Sequence, residues 1–418
     1  MSGRQTSRIG LLKALTFLMF AMFAMTTDSV GVIIPQVIKR YSLGMTAGGA
    51  FQYATMSGIA IAAFGLGFLA DRWGRKRSIV AGLLLFGLSS GLFAVGHDFL
   101  FFVSLLFFSG VAIGVFKAGA LALIGDISRS TREHAATMNM VEGFFGVGAI
   151  VGPAIVARLL QSGTDWKWLY VIASALCAIL VAMAAFARFP PPPPREVVRK
   201  RRFSETWGLL RDPFTLGFSL ALMLYVAAEA AVYVWAPTYL DGYHGPFAWF
   251  ALYVVSIFFV LRAAGRFLGA WLLARLPWAV VLAVCSCGVF ICFLTSCVGG
   301  RGVAALALPV SGLFMSVLYP TINSKGISSF ARPRHGEIAG LLLFFTCLSA
   351  VLAPLAMAAL SDALGDRKYS LYLASVFAGL LAALGVWNAV TNPTRKRLAE
   401  RDDEDYLGEA AAASGVQS

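Results

Sequence analysis

Apolar runs of about twenty residues, separated by short polar stretches, follow one another along almost the whole chain. A helix needs about 20 predominantly apolar residues to cross a hydrocarbon core of roughly 30 Å. The pattern predicts spans near residues 11–34, 47–70, 77–96, 99–124, 134–160 and 167–187, and then near 213–240, 247–274, 278–297, 302–325, 335–361 and 369–391. A barrel strand alternates apolar and polar positions over about ten residues, and these continuous runs exclude it. The predicted fold class is all-α and integral to the membrane, with twelve transmembrane helices.

The two sets of six are copies. Sliding one along the other by 201 or 202 positions sets Asp28 on Glu229, Pro35 on Pro237, Gly67 on Gly269, Gly110 on Gly312, His134 on His335 and Pro153 on Pro354. An even number of spans per copy starts the second on the same side as the first, so the repeats are parallel. Transporters built this way enclose a central cavity between the halves. The predicted units are an N-terminal bundle over 1–187, a linker over 188–212, a C-terminal bundle over 213–391 and a solvated tail over 392–418. Pro190 to Pro194 open the linker as a semi-rigid spacer, followed by the basic run Arg199 to Arg202.

Charge changes the picture only in its placement. Charged residues make up 13% of the chain, against about 25% in soluble domains. Of the 34 Lys and Arg, 26 fall on the tail, loops and helix ends of one side. By the positive-inside rule that side is cytoplasmic and holds both termini. The net charge of +13 therefore reports topology and not a nucleic-acid partner. The polar start MSGRQTSR runs into a full-length span with no cleavage signal expected. A plasma membrane of the bacterial inner-membrane type is the expected location, with lipid as the surrounding partner and a monomer as the working unit. Cys177, Cys285, Cys287, Cys292, Cys297 and Cys347 all fall within spans, without disulfide or metal-site spacing. No metal and no cofactor are expected.

The loop between spans 2 and 3 reads GFLADRWGRKR over 67–77. Gly67 permits close helix contact, Asp71 faces several cations, Gly74 allows a sharp turn, and Arg75, Lys76 and Arg77 hold the loop in the cytoplasm; Arg72 is counted with Gly67, Asp71, Gly74, Arg75 and Lys76 in the predicted cytoplasmic gate. This segment resembles the signature loop of the major facilitator superfamily. The resemblance implies that superfamily's fold and a secondary-transport role, with Asp71 and Arg75 latching against the start of span 11 as a cytoplasmic gate. Span 5, NMVEGFFGVGAIVGP from Asn139, and span 7, EAAVYVWAPTYL from Glu229, resemble the fucose and glucose proton-symporter branch. Gly148, Ile150, Gly152 and Pro153 also partly match a drug-antiporter motif, without its following double glycine. Where the sugar branch places a span 4 glutamate, this chain has Lys117.

Ionisable residues inside a membrane cost about 2.5–3.5 kcal/mol or more each and tend to face a partner or water. Asp28, Lys117, Glu142 and Glu229 are the predicted charge and proton-coupling network, either as a titrating cluster or as a permanent interhelical ion pair. Arg262 is expected to snorkel to the cytoplasmic interface. If it instead reaches the cavity beside Lys117, an anionic solute becomes attractive. Asn139, Tyr225, Tyr233, Trp235, Tyr319 and Asn323 supply the aromatic faces and amides that suit a polyol, whereas Tyr239 and Trp249 are expected in the interfacial belt. His134 and His335 are read as structural.

No phosphate-binding loop, zinc-like histidine pair or nucleophile elbow is present, so enzymatic activity is not expected. The leading expectation is proton-coupled symport of a small hydrophilic solute such as a sugar, by alternating access. Efflux of drugs or organic cations in exchange for protons, and transport of an organic anion, are the alternatives.

Overall fold

The computed structural model describes residues 2–65, 72–128, 131–190, 208–330 and 334–399. The segments with apolar composition form helices because a backbone without water must satisfy its own hydrogen bonds. The first half holds α1 (Ser2–Thr27, resuming as Val30–Tyr41), α2 (Ala50–Gly65), α3 (Arg75–Gly91), α4 (Phe99–Ile127), α5 (Thr131–Gln161) and α6 (Trp168–Phe186). The second holds α7 (Pro213–Ala230, carried on through Ala231–Trp235 to Ala236–Leu240), α8 (Val254–Leu273), α9 (Trp278–Val298), α10 (Gly300–Ser328), α11 (His335–Leu364) and α12 (Lys368–Thr391). Ten described stretches are long and apolar enough to cross a membrane, and one of them, Trp278–Ser328, holds both α9 and α10.

Each half packs in the same way. The contacts α1 with α5, α2 with α4, α3 with α4, α3 with α6 and α1 with α6 recur as α7 with α11, α8 with α10, α9 with α10, α9 with α12 and α7 with α12. The repeat persists at atomic detail. A Cβ on Gly110 would collide with the Thr55 carbonyl, and one on Gly312 with the Phe258 carbonyl. Gly148 lies against the Ala21 carbonyl. Its repeat partner Ser349 donates a 2.7 Å hydrogen bond to Met223 O of α7, the helix that repeats α1. One half meets the crowded carbonyl by deleting a side chain, the other by supplying a donor.

The halves meet through α5 against α8 and α2 against α11, a pair of contacts that the two-fold repeat interchanges. Where both partners are described, the polar contacts between the halves lie from mid-span to the end opposite the termini, here called the far end. Ser256 Oγ donates to Ile150 O at 3.0 Å. Further out, Tyr53 Oη donates to Pro354 O at 3.4 Å and Lys39 Nζ pairs with Asp241 Oδ1 at 2.7 Å. Asp362 accepts the backbone N–H groups of Met45 and Thr46, each at 2.8 Å. The far end is closed in this structure.

The tail begins as a docked segment. Arg397 pairs with Asp212 Oδ2 at 2.9 Å, donates to Ser329 O at 2.7 Å and lies over the rings of Phe214 and Phe330. The prolines Pro191 to Pro194, the basic run after them and the acidic end of the tail lie outside the described residues.

Candidate functional site

Both repeats begin with an interrupted helix, and each places an acid at the interruption. Pro35 and Pro237 lack the N–H that would bond four residues back. In α1 the helix breaks between Thr27 and Val30, and Asp28 sits in the break. In α7 the chain instead widens into a π turn, where Ala236 N reaches Ala231 O, two residues past Glu229. The Tyr233 carbonyl, deprived of its donor by Pro237, abuts Gly31 so closely that a Cβ there would overlap it. Gly31 and Tyr233 are themselves repeat partners. α1 and α7 thus cross on the two-fold axis, and their acids Asp28 and Glu229 are both about 9% exposed and within electrostatic reach of each other.

The two acids have different partners. Glu229 forms an ion pair with Arg262 of α8. The expectation that Arg262 snorkels to the interface is therefore wrong. A buried carboxylate without a counter-charge is costly, and the guanidinium, whose side chain is about 20% exposed, turns inward to meet it. Asp28 receives a 3.4 Å contact from Thr27 Oγ1, and no described cation lies within ion-pair distance of it. Lys117 rests over the rings of Phe20 and Phe23, at 5.7 and 5.2 Å. Such cation–π contacts stabilise a desolvated ammonium by about 2 kcal/mol. Asp28 and Glu142 are both within electrostatic reach of Lys117, but among the described residues neither closes a direct pair with it.

Glu142 on α5 is exposed while lying within reach of Lys117, Arg262 and Tyr319. A carboxylate facing lipid would be costly, so the space between the halves at this level is open to water. Asn139 is exposed on the same helix, whereas Tyr319 and Asn323 of α10 are half-buried. Tyr225 is fully buried beside Glu229, its ring 5.7 Å from that of Tyr319. Tyr233 and Trp235 belong to the closed far side. Gln52 Nε2 donates to Tyr233 Oη at 3.4 Å, and Trp235 Nε1 donates to Pro354 O at 3.1 Å. In this state Trp235 therefore packs in the closure and not against the open space. Tyr239, near the far end of α7, is buried beneath Arg301, while Trp249 is exposed.

Of the loop after α2, Gly67 and Asp71 lie outside the described residues. Gly74 has φ +85°, a value that favours glycine, and caps α3. Arg72 is exposed. Arg75 Nε pairs with Asp126 Oδ2 of α4 at 2.9 Å, and Lys76 donates to Ala185 O at 2.9 Å and Ala187 O at 3.2 Å. These contacts tie α3, α4 and α6 within one half. Among the described residues no three His, Cys, Asp or Glu gather as a metal site.

Sequence reasoning missed the Phe20 and Phe23 platform and the far-end acids Asp241 and Asp362. Asp241 was findable, because it is the repeat partner of Lys39, to which it binds.

The family model for the Major Facilitator Superfamily matches residues 16–354. The chain belongs to the major facilitator superfamily. Among its members, a protein TsgA homolog from Edwardsiella ictaluri (strain 93-146) is 25% identical over 234 residues, 54% of this chain and 57% of that protein. The matched region thus spans little more than half of that relative. The nucleoside transporter NupG superposes with a TM-score of 0.72 at 14% identity, covering 91% of this chain and 97% of that one. The Major Facilitator Superfamily transporter FucP in its outward conformation gives 0.62 at 21% identity, covering 91% and 98%. At these identities the structural likeness establishes the fold, and superfamily membership points to a transporter.

Proposed function

We propose that this protein is a proton-coupled symporter that carries a small hydrophilic solute, a sugar or related metabolite, by alternating access. It works as a monomer in a bacterial-type inner membrane with both termini cytoplasmic, so the closed far end is the outer one. The observation that carries the reading is the charge balance of the central cluster. Asp28, Glu142 and Glu229 supply three carboxylates against the two cations Lys117 and Arg262. Arg262 is committed to Glu229, and Asp28 is left with a hydroxyl contact. One proton on Asp28 neutralises the cluster, and moving uncompensated charge through the membrane interior is what a transport cycle must avoid.

Solute enters the water-filled space beside Glu142 and Lys117 and meets Asn139 on one side and Tyr319 and Asn323 on the other. Polar side chains fix the orientation of hydroxyl groups while aromatic faces supply apolar contact, the mixture usual in small-molecule sites. The structural neighbours NupG, a nucleoside transporter, and FucP, a fucose:proton symporter, support a neutral, hydroxyl-rich solute. Closing the end near the termini and parting Gly31 from Tyr233 would pass the site to the other side. Asp71 and Arg75 are proposed to serve that closure as the latch.

The test is reconstitution. Proteoliposomes carrying the protein are expected to exchange a neutral sugar or nucleoside in counterflow and to accumulate it when an inward proton gradient is imposed. Asp28→Asn should keep counterflow and lose uphill accumulation. If Asp28→Asn still accumulates solute against its gradient, the coupling assignment is wrong.

One observation favours a second reading. Lys117 has no ion-pair partner among the described residues and stands on two aromatic rings, a setting suited to an aromatic carboxylate. Exchange of an aromatic acid in place of any neutral solute would select it.

A further inference from the structure

A groove of about 330 Å³ opens between α7, α9 and α12 near the termini end, floored by α10. Its walls include Phe218, Leu282, Leu318 and Leu381, with Trp278 and Trp387 beside them. Gly217 lines it without a side chain, and a Cβ built there would meet nothing. Its deepest α7 residue is Ala221, four residues, or about 6 Å of helix, short of Tyr225. The groove is therefore separate from the central charge cluster.

The end of the groove is polar, and its polar groups lack partners. Asn388 Nδ2 and Thr394 Oγ1, both on residues of the lining, are buried atoms with no hydrogen bond, and so is Asn392 Oδ1 between them. Thr394 is 3% exposed. Each such group left unmatched costs about 1–3 kcal/mol, and native structures seldom keep several together. Asn392 adopts a left-handed conformation, φ +41°, which turns the chain so that Pro393 and Thr394 join the lining.

Three exposed arginines flank the lining residues in sequence. Arg211 precedes Pro213 by two residues, Arg395 follows Thr394, and Arg275, whose guanidinium lies 4.2 Å over the ring of Trp271, precedes Trp278 by three. An apolar slot, a cluster of unmatched donors and acceptors, and a cationic mouth match the three parts of one molecule class in order: acyl chain, ester and glycerol oxygens, and phosphate.

We propose that this groove is a binding site for one anionic phospholipid, drawn from the leaflet on the side of the termini. Its acyl chain fills the slot along α7, Asn388 and Thr394 bond its linkage oxygens, and the arginines hold its headgroup. Basic residues near a membrane surface each favour an anionic lipid by about fivefold.

The experiment is native mass spectrometry of the full-length protein released from nanodiscs that contain phosphatidylglycerol and phosphatidylcholine in equal amounts, with oleate added in a parallel sample. The expected result is one retained phosphatidylglycerol per chain. Gly217→Leu extends a branched side chain into the slot from a position where a Cβ meets nothing and should abolish retention, whereas Gly217→Ala keeps it. Arg275→Gln and Arg395→Gln should each reduce it about fivefold. Equal retention of phosphatidylcholine or oleate, or retention unchanged by Gly217→Leu, overturns the proposal. Counterflow by the Gly217→Leu protein at wild-type rate would show that the variant is folded, so its loss of lipid can be read directly.

Discussion

At the scale of single residues, the centre of the molecule is decided by which charge has a partner. Glu229 and Arg262 form a buried pair, and removing one member of such a pair costs about 3–5 kcal/mol because the other is left uncompensated. Arg262→Gln alone should therefore destabilise the protein strongly, as read by its melting temperature in detergent. Adding Glu229→Gln should restore most of the loss, since two neutral amides can bond each other. A double variant as unstable as Arg262→Gln alone would mean that the arginine acts through something other than Glu229. The sequence showed that Asp28 and Glu229 occupy equivalent places, because the repeat is a matter of spacing. It did not show that Arg262 belongs to Glu229. A long cationic side chain inside a span can turn either way, and only the neighbouring helix decides which.

At the scale of elements, the two halves solve one problem differently. Pro35 and Pro237 are repeat partners, yet α1 breaks before its proline and α7 absorbs the defect in a π turn. The outcome is a Tyr233 carbonyl seated against Gly31, a contact that must separate when the far end opens. Gly31→Val places a branched side chain at that crossing. Overpacking of this kind costs about 1–3 kcal/mol, enough to shift a two-state balance roughly 5- to 150-fold. The variant is expected to favour the far-end-open state, seen as faster labelling of a cysteine introduced at Gln52 in a background without the native thiols. Labelling as slow as in the parent would mean that the crossing tolerates the bulk. The helices themselves were legible, because length and apolar content set them. The break in α1, the π turn and the interruption at Tyr253, which separates a short helix Ala248–Leu252 from α8, were not, since they arise from backbone hydrogen bonds that proline or packing redirects.

At the scale of the whole molecule, closure of the far end rests on two acids of the second half that reach the first. Asp362 accepts two backbone N–H groups at the start of the short turn Met45–Gly48, both at 2.8 Å. Asp241 sits between Lys39 at 2.7 Å and Arg367 at 3.1 Å. The geometries look equally good, but their expected contributions differ. Lys39 is about half exposed, and exposed ion pairs typically contribute about 0–1 kcal/mol. Hydrogen bonds from fixed backbone donors to a carboxylate need no ordering of a long side chain and are worth about 1.5–3 kcal/mol each before solvent exposure reduces them. Asp362→Ala should therefore open the far end about tenfold more than Lys39→Ala, when the populations are compared by spin-label distances across that end. The order of the two effects is the test. If Lys39→Ala opens the molecule as far as Asp362→Ala, long-range attraction between the halves holds the closure. If the order stands, the closure depends on a carboxylate meeting a preset pair of backbone donors, and salt should weaken it little.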